Sequence, residues 1–304
     1  MKSFRSNGKL LISGEYLVLD GACALAIPTK YGQTLSIEPI EEPLIIWKSL
    51  DFKNNVWFEG QYHLDDIKTQ YLNPVEPNNI AQRLIQILVA AKTLNKDFLA
   101  QPTGFKVTTT LDFPQHWGLG TSSTLINNIA QWANINPYTL LANTFGGSGY
   151  DIACAQSNTP ITYLLNKKTP ISNSVYFNPK FSNHIYFVYL NKKQNSRDGI
   201  AQYKANRGDY KKAISKINNL TSKMILASTL ETFNNLITEH ENIVAQIIKQ
   251  PTVKAKLFAD FKGEIKSLGA WGGDFILVTS KTDPVPYFNK KGFDTVLHYK
   301  DMVL

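Results

Sequence analysis

Apolar positions along this chain recur with two periods, and the chain changes from one to the other several times. Alternation dominates the first sixty residues. Residues 10–13 and 16–19 are apolar runs, Asp20-Gly21 reads as a hairpin turn, and residues 33–37 alternate before Pro39. Residues 44–47 and 56–58 predict further strands. At Pro77 the spacing becomes helical: Ile80, Leu84, Ile87, Leu88, Ala91 and Leu94 fall on one face. Residues 105–111 alternate again and predict a strand running into Pro114. A helix is expected from there to about Asn134, a shorter one after Pro137, and another from about Ser148.

Beyond Pro160 the texture changes. Residues 161–165 and 184–190 predict strands, and residues 209–268 predict two or three long amphipathic helices. The last strands are expected at residues 275–279 and 295–299, and residues 191–199 (NKKQNSRDG) read as a flexible loop. The fold class is therefore α+β. With 304 residues the chain can form two domains, which we place at 1–165 and 166–304.

Charge and composition narrow the function. The net charge of +8 comes from lysines spread along the chain, with only short pairs such as Lys167-Lys168 and Lys192-Lys193. That pattern argues against nucleic acid and suits attraction of anionic small molecules. Every apolar stretch is interrupted by polar residues, so no membrane span is expected. The N-terminus lacks a signal-peptide layout, and the two cysteines, Cys23 and Cys154, give neither metal spacing nor a disulfide framework. A cytoplasmic protein is the expectation. Histidines 63, 116, 184, 240 and 298 show no metal spacing and read as structural or surface groups.

Three glycine-centred segments carry the candidate chemistry: residues 8–15 (GKLLISGE), 114–124 (PQHWGLGTSST) and 146–153 (GGSGYDIA). In the second, glycines precede four hydroxyl residues that open an apolar helix. A helix N-terminus with unpaired donors is a seat for phosphate. No lysine or arginine occurs between Val107 and Asn166, so phosphate there would be held by N–H groups, hydroxyls and helix ends. Burial alone also explains that lack of charge. Asp151, near the start of a helix, could deprotonate a substrate hydroxyl, or simply cap the helix. Lys9, beside Gly8, could neutralise developing charge, or be an ordinary strand-end cation. Ser122 could ligate Mg²⁺, with Thr121 and Ser123 donating to phosphate; plain N-capping is their other reading. The Walker A pattern is absent.

Taken together, these segments resemble the motifs of the GHMP kinases, the group that includes galactokinase, homoserine kinase, mevalonate kinase and phosphomevalonate kinase. The first motif is similar to the run from Gly8 to Tyr16. The second, PxxxGLGSSAA, is similar to Pro114 with Gly118, Leu119, Gly120, Thr121, Ser122, Ser123 and Thr124. The third, GSGxDxA, is similar to the stretch from Gly147 to Ala153, and its Gly-Tyr-Asp-Ile-Ala string resembles the signature of the bacterial GYDIA family. The C-terminal glycine loop of the family resembles Gly269, Ala270, Trp271, Gly272, Gly273, Asp274 and Phe275. All four occur in family order.

The resemblance implies an N-terminal ATP-binding domain like domain two of ribosomal protein S5 and a ferredoxin-like C-terminal domain. It implies ATP and Mg²⁺ as cofactors. Pro114, Gly118, Leu119, Gly120, Thr121, Ser122 and Ser123 would bind phosphate, with Ser122 on the metal. Asp151 would act as base and Lys9 near the reacting hydroxyl. Glu15, Tyr16, Ser148 and Gly149 would lie near the substrate, and Lys193, Ser196 and Arg197 are candidates for gripping its carboxylate or phosphate. Gly269, Ala270, Gly272 and Gly273 form the C-terminal loop.

Three departures stand out, one being the short spacing between the second and third motifs, which implies a trimmed helical segment near the substrate pocket. Residues 113–150 contain no carboxylate where mevalonate kinases carry a second magnesium ligand, and Trp271 interrupts the last glycine loop. The expected activity is transfer of the γ-phosphoryl group of ATP to an alcohol, first mevalonate, for isoprenoid precursor synthesis. Phosphomevalonate is the alternative acceptor. Homoserine or a sugar fits less well, and a non-catalytic nucleotide-binding homologue is the reading from another class. The expected partner is a small carboxylate-bearing alcohol or its phosphate, with neither nucleic acid nor membrane; a homodimer is compatible with it.

Overall fold

The computed structural model describes residues 1–69, 79–206 and 208–304, and among these not the side chains of 68, 69, 196 and 197. Two compact units are present, each discontinuous in sequence. The first takes Met1–Gly8, Tyr31–Gln115 and Gly120–Gln156; the second takes Lys9–Lys30, His116–Leu119 and Ser157–Leu304. Strands β1 (Lys2–Leu11) and β2 (Ala24–Ile40) contribute residues to both.

The rest of the first unit comprises β3 (Leu44–Leu50), β4 (Val56–His63), α1 (Leu64–Thr69), α2 (Ile80–Leu94), β5 (Gly104–Leu111), α3 (Thr121–Ala133), α4 (Pro137–Ala142) and α5 (Tyr150–Gln156). Its strands run in the order β4-β3-β5-β2. β3 pairs parallel with β5, and β5 pairs antiparallel with the later part of β2, Gln33 opposite Leu111. Alternation sends Leu35, Ile37, Trp47 and Val107 to one face, where they meet Leu84, Ile87 and Leu88 of α2 and Ile126 and Ile129 of α3. Each such side chain contributes about 1.5–3 kcal/mol by leaving water, so this cluster fixes α3 on the sheet. The helix expected near Pro77 is α2; Pro77 itself lies outside the described residues. Asn79 starts it, its side chain accepting the N–H of Gln82 at 2.9 Å.

The second unit adds β6 (Ile161–Asn166), β7 (Thr169–Ser174), β8 (Ile185–Tyr189), α6 (Ser196–Ala205), α7 (Lys211–Leu226), α8 (Leu230–Ile248), α9 (Val253–Leu257), β9 (Glu264–Ser267), β10 (Phe275–Thr279), α10 (Val285–Lys290), β11 (Val296–His298) and α11 (Tyr299–Met302). The first part of β2 pairs with β6, and β6 with β7. A separate antiparallel sheet has the order β11-β8-β10-β9, with Phe275 opposite Tyr189. β8 and β10 are buried at every position, which their unbroken apolar runs require. Among the described residues no helix is long and apolar enough to cross a membrane.

Several expected elements take another form. Residues 17–20 make a 3-10 turn rather than a strand and hairpin, closed by Gly21 at φ 91°. The segment predicted as a loop at 191–199 becomes helical from Ser196, and β9 occupies the end of the region read as helix. β2 runs for 17 residues through both Pro28 and Pro39.

Candidate active site

In the first unit the site residues gather at two helix starts. Gly120, at φ 97°, precedes α3 in a left-handed conformation that glycine adopts without strain, and it offers no side chain to cap the helix. The first backbone bond of α3 runs from Thr124 N–H to Gly120 O at 3.0 Å, so the N–H groups of Thr121, Ser122 and Ser123 come before it. The four hydroxyls then divide. Ser123 donates to Gly120 O at 2.9 Å and Thr124 to Gln33 Oε1 at 2.9 Å, and both are buried. Thr121 and Ser122 stay accessible, Thr121 half-buried and Ser122 exposed. Pro114 is half-buried ahead of the turn.

The second start is α5. Gly146, Gly147 and Gly149 all have positive φ, and open space surrounds the first two. Ser148 and Asp151 are half-buried. Asp151 Oδ1 accepts the N–H of Ile152 at 3.1 Å. Tyr138 of α4 faces the same charge: burial, then the negative charges of Asp151 and Cys154, push its phenol up to about 12.

In the second unit Lys9 lies on β1, and its ammonium donates to Gly118 O at 2.9 Å while its backbone N–H donates to Leu119 O at 3.0 Å. Lys9, Trp117, Gly118, Gly269 and Asp274 line one recess. Gly269 and Gly272 have positive φ and open space around them, Gly273 is pressed against the Lys192 carbonyl, and Ala270 is buried. Lys193 is exposed. Ser196 and Arg197 open α6, and their side chains lie outside the described ones.

Glu15 and Tyr16 are both buried. The carboxylate of Glu15, 1% exposed, pairs with Lys266 Nζ and lies 3.3 Å from His240 Nε2. Glu241 Oε1 stands 3.8 Å from the same ammonium. His240 Nε2 accepts the N–H of Gly14 at 2.9 Å, which places the ring proton on Nδ1. Burial, helped by the Lys266 charge, holds His240 well below the usual range and therefore neutral. Burial raises Glu15 and, against the opposing Lys266 charge, lifts Glu241 to about 8. Tyr16 sits at φ 62°, stacks on Tyr203 at 5.7 Å, and accepts the N–H of Trp271 at 3.2 Å. Trp271 packs into this cluster at 4% exposure.

Sequence reasoning passed over Lys266 and Glu241, read His240 only as a structural or surface group, and named Asp274 only as part of the C-terminal loop. A signal existed for two of them. His240 and Glu241 fall on the stripe Phe233, Ile237, Val244, Ile248 that α8 buries, where a polar pair must find partners.

No protein-family model matches the chain, and no curated protein sequence matches it. Solved structures do. Mevalonate kinase of Methanococcus jannaschii superposes with a TM-score of 0.70 at 15% identity, covering 97% of this chain and 96% of that one. Streptococcus pneumoniae phosphomevalonate kinase in complex with phosphomevalonate and AMPPNP gives 0.69 at 16% identity, over 96% and 95%. Lactococcus lactis galactokinase complexed with galactose gives 0.67 at 15% identity, over 95% and 88%. The chain has the fold of the GHMP kinase superfamily.

Proposed function

We propose that this chain is a kinase that transfers the γ-phosphoryl group of ATP to the hydroxyl of a small anionic molecule, with mevalonate the first candidate. The observation that carries the reading is the start of α3: an uncapped first turn behind a left-handed glycine, with two hydroxyls folded inward and Thr121 and Ser122 left accessible. Such a turn offers N–H donors and positive potential to a triphosphate without any cationic side chain. The likeness to solved kinases supports this chemistry on this fold.

The residues then divide the work. The glycine turn at 118–120 and the first turn of α3 hold phosphate oxygens in place, which is most of what phosphoryl transfer needs. Asp151 accepts the proton of the attacking hydroxyl, and Lys9 offsets the charge that develops. Among the described residues no three His, Cys, Asp or Glu side chains group to hold an ion. That suits Mg²⁺, which keeps several waters and takes most other ligands from phosphate, leaving Ser122 as its protein oxygen. When bound, the ion neutralises charge on the transferring group.

An assay coupled to ADP release, run with mevalonate, phosphomevalonate, homoserine and galactose, tests the reading. Turnover with one acceptor is expected. ATP binding without turnover on any acceptor would instead support a non-catalytic nucleotide-binding protein. A phosphate acceptor is the second reading, supported by the likeness to the phosphomevalonate complex. Asp151→Asn separates the two. A hydroxyl acceptor predicts a loss of about 10²-fold or more in kcat, and a phosphate acceptor only a mild one.

A further inference from the structure

Asp274 is the one residue of the C-terminal glycine loop that nothing above explains. Its backbone takes φ 53°, a left-handed conformation that glycine adopts freely and that, among residues with a side chain, Asn and Asp visit most readily. The loop around it already uses glycine at 269, 272 and 273. The chain thus carries a carboxylate at 274 where glycine would serve the backbone equally well.

The residue is held by its backbone on two sides and by one bond to its carboxylate. Asp274 N–H donates to Lys192 O at 2.7 Å, Leu190 N–H donates to Asp274 O at 2.8 Å, and Gln194 N–H donates to Oδ1 at 3.1 Å. The side chain lies flat against Gly118, where a Cβ would stand 2.3 Å from Asp274 Cγ, so this approach is open only to glycine. The Lys9 ammonium is bonded to the carbonyl of that same Gly118 at 2.9 Å, and both side chains line one recess. Burial pushes the Asp274 carboxyl up, with the charge of Lys9 the largest influence opposing it.

We infer that Asp274 is a positioning residue for Lys9, holding its ammonium against the Gly118 carbonyl so that the lysine meets the transferring group as a fixed cation. The last clause rests on the kinase reading; the pairing itself does not. An opposite charge restrains a flexible four-carbon stem, and a fixed cation needs no reorganisation as negative charge develops. Lys9 is then oriented from the loop that carries the last motif, which gives the carboxylate there a role.

Asp274→Asn is the informative variant. Asparagine tolerates the left-handed backbone and keeps the acceptor for Gln194 N–H, so a purely conformational role predicts no change. The positioning role predicts that kcat falls about 10- to 100-fold. MgATP, measured by calorimetry, should bind as tightly or more tightly, because a negative charge beside the triphosphate is gone. Unchanged kcat, or parallel loss of kcat and affinity, overturns the proposal. Asp274→Gly, which adopts the same backbone freely, should keep or raise the urea midpoint while losing the same turnover. If the wild type turns over no acceptor, the kinase reading fails separately, and carboxyl ¹³C NMR decides the pairing. Lys9→Met should then move the Asp274 titration further upward. A titration that stays where it was overturns it.

Discussion

The side chains around Lys266 set how this protein responds to pH. Glu241 titrates at about 8 in the fold against an ordinary 4.5, so the folded state holds its proton more tightly than the unfolded chain. Its contribution to stability is complete below 4.5 and is lost as pH rises through 8. His240 acts in the opposite sense, since its lowered value disfavours the fold as pH drops below 6.5. The two overlap below 6.5, which leaves 6.5 to 8 as the window for Glu241. Over it Glu241 should take about 2 kcal/mol from the unfolding free energy, with Glu15, also raised, acting in the same sense; urea denaturation at several pH values reads the fall, and Glu241→Gln should reduce that slope. Lys266→Met should be the more damaging change, by about 3–5 kcal/mol, because Glu15 would stay buried without its cation. Of this cluster only the burial of His240 and Glu241 was legible in the sequence, from the apolar stripe of α8 on which they fall. Glu15 and Lys266 lie 251 positions apart, and no local spacing announces their meeting. Glu15 was read near a substrate because its neighbours resemble a motif; that its carboxylate pairs with Lys266 was not foreseen.

At the level of elements, legibility followed periodicity. β5, α3, α4, β8 and β10 stand where their apolar patterns placed them, since each buries a face or a whole run against a core. Elements with weak patterns escaped. α6 has a polar, loop-like sequence, and β9 has four residues, too few to show alternation. The 3-10 turn at Leu17–Asp20 replaced a predicted strand because Gly14 and Tyr16 both turn the chain through positive φ just before it. The start of α3 was the most legible feature, since glycines followed by hydroxyl residues are a local signal. Sequence did not separate the hydroxyls that turn inward from those that stay accessible; Gln33, which accepts from Thr124, comes from another strand. Gly120→Ala tests the element directly. A Cβ at φ 97° should cost about 1–2 kcal/mol in urea unfolding and tilt the first turn, weakening MgATP binding in calorimetry.

For the molecule as a whole, four short motifs in a fixed order pointed to the fold, and the likeness to solved kinases over nearly the full chain agrees with them. Acceptor identity was not legible, since it depends on side chains that no motif fixes. The net charge of +8 belongs to this scale as well. It should draw nucleotide in from a distance, so the association rate of MgATP in stopped flow should drop several-fold as ionic strength rises from about 0.01 to about 0.1 M, where the screening length shrinks from about 30 to about 10 Å. A rate indifferent to salt would mean that the charges act only as a solvated coat.

Trp117 turns the recess beside Lys9 into an optical probe. Its indole meets Phe275 edge-on at 5.3 Å and forms part of the wall shared with Asp274. Emission from such a ring depends on nearby charge and water, so occupancy of that space should register as a change in intensity or colour with no label attached. Titrating nucleotide into the wild type and into Trp117→Phe would show whether the signal belongs to this ring, and would yield an affinity before any acceptor is known.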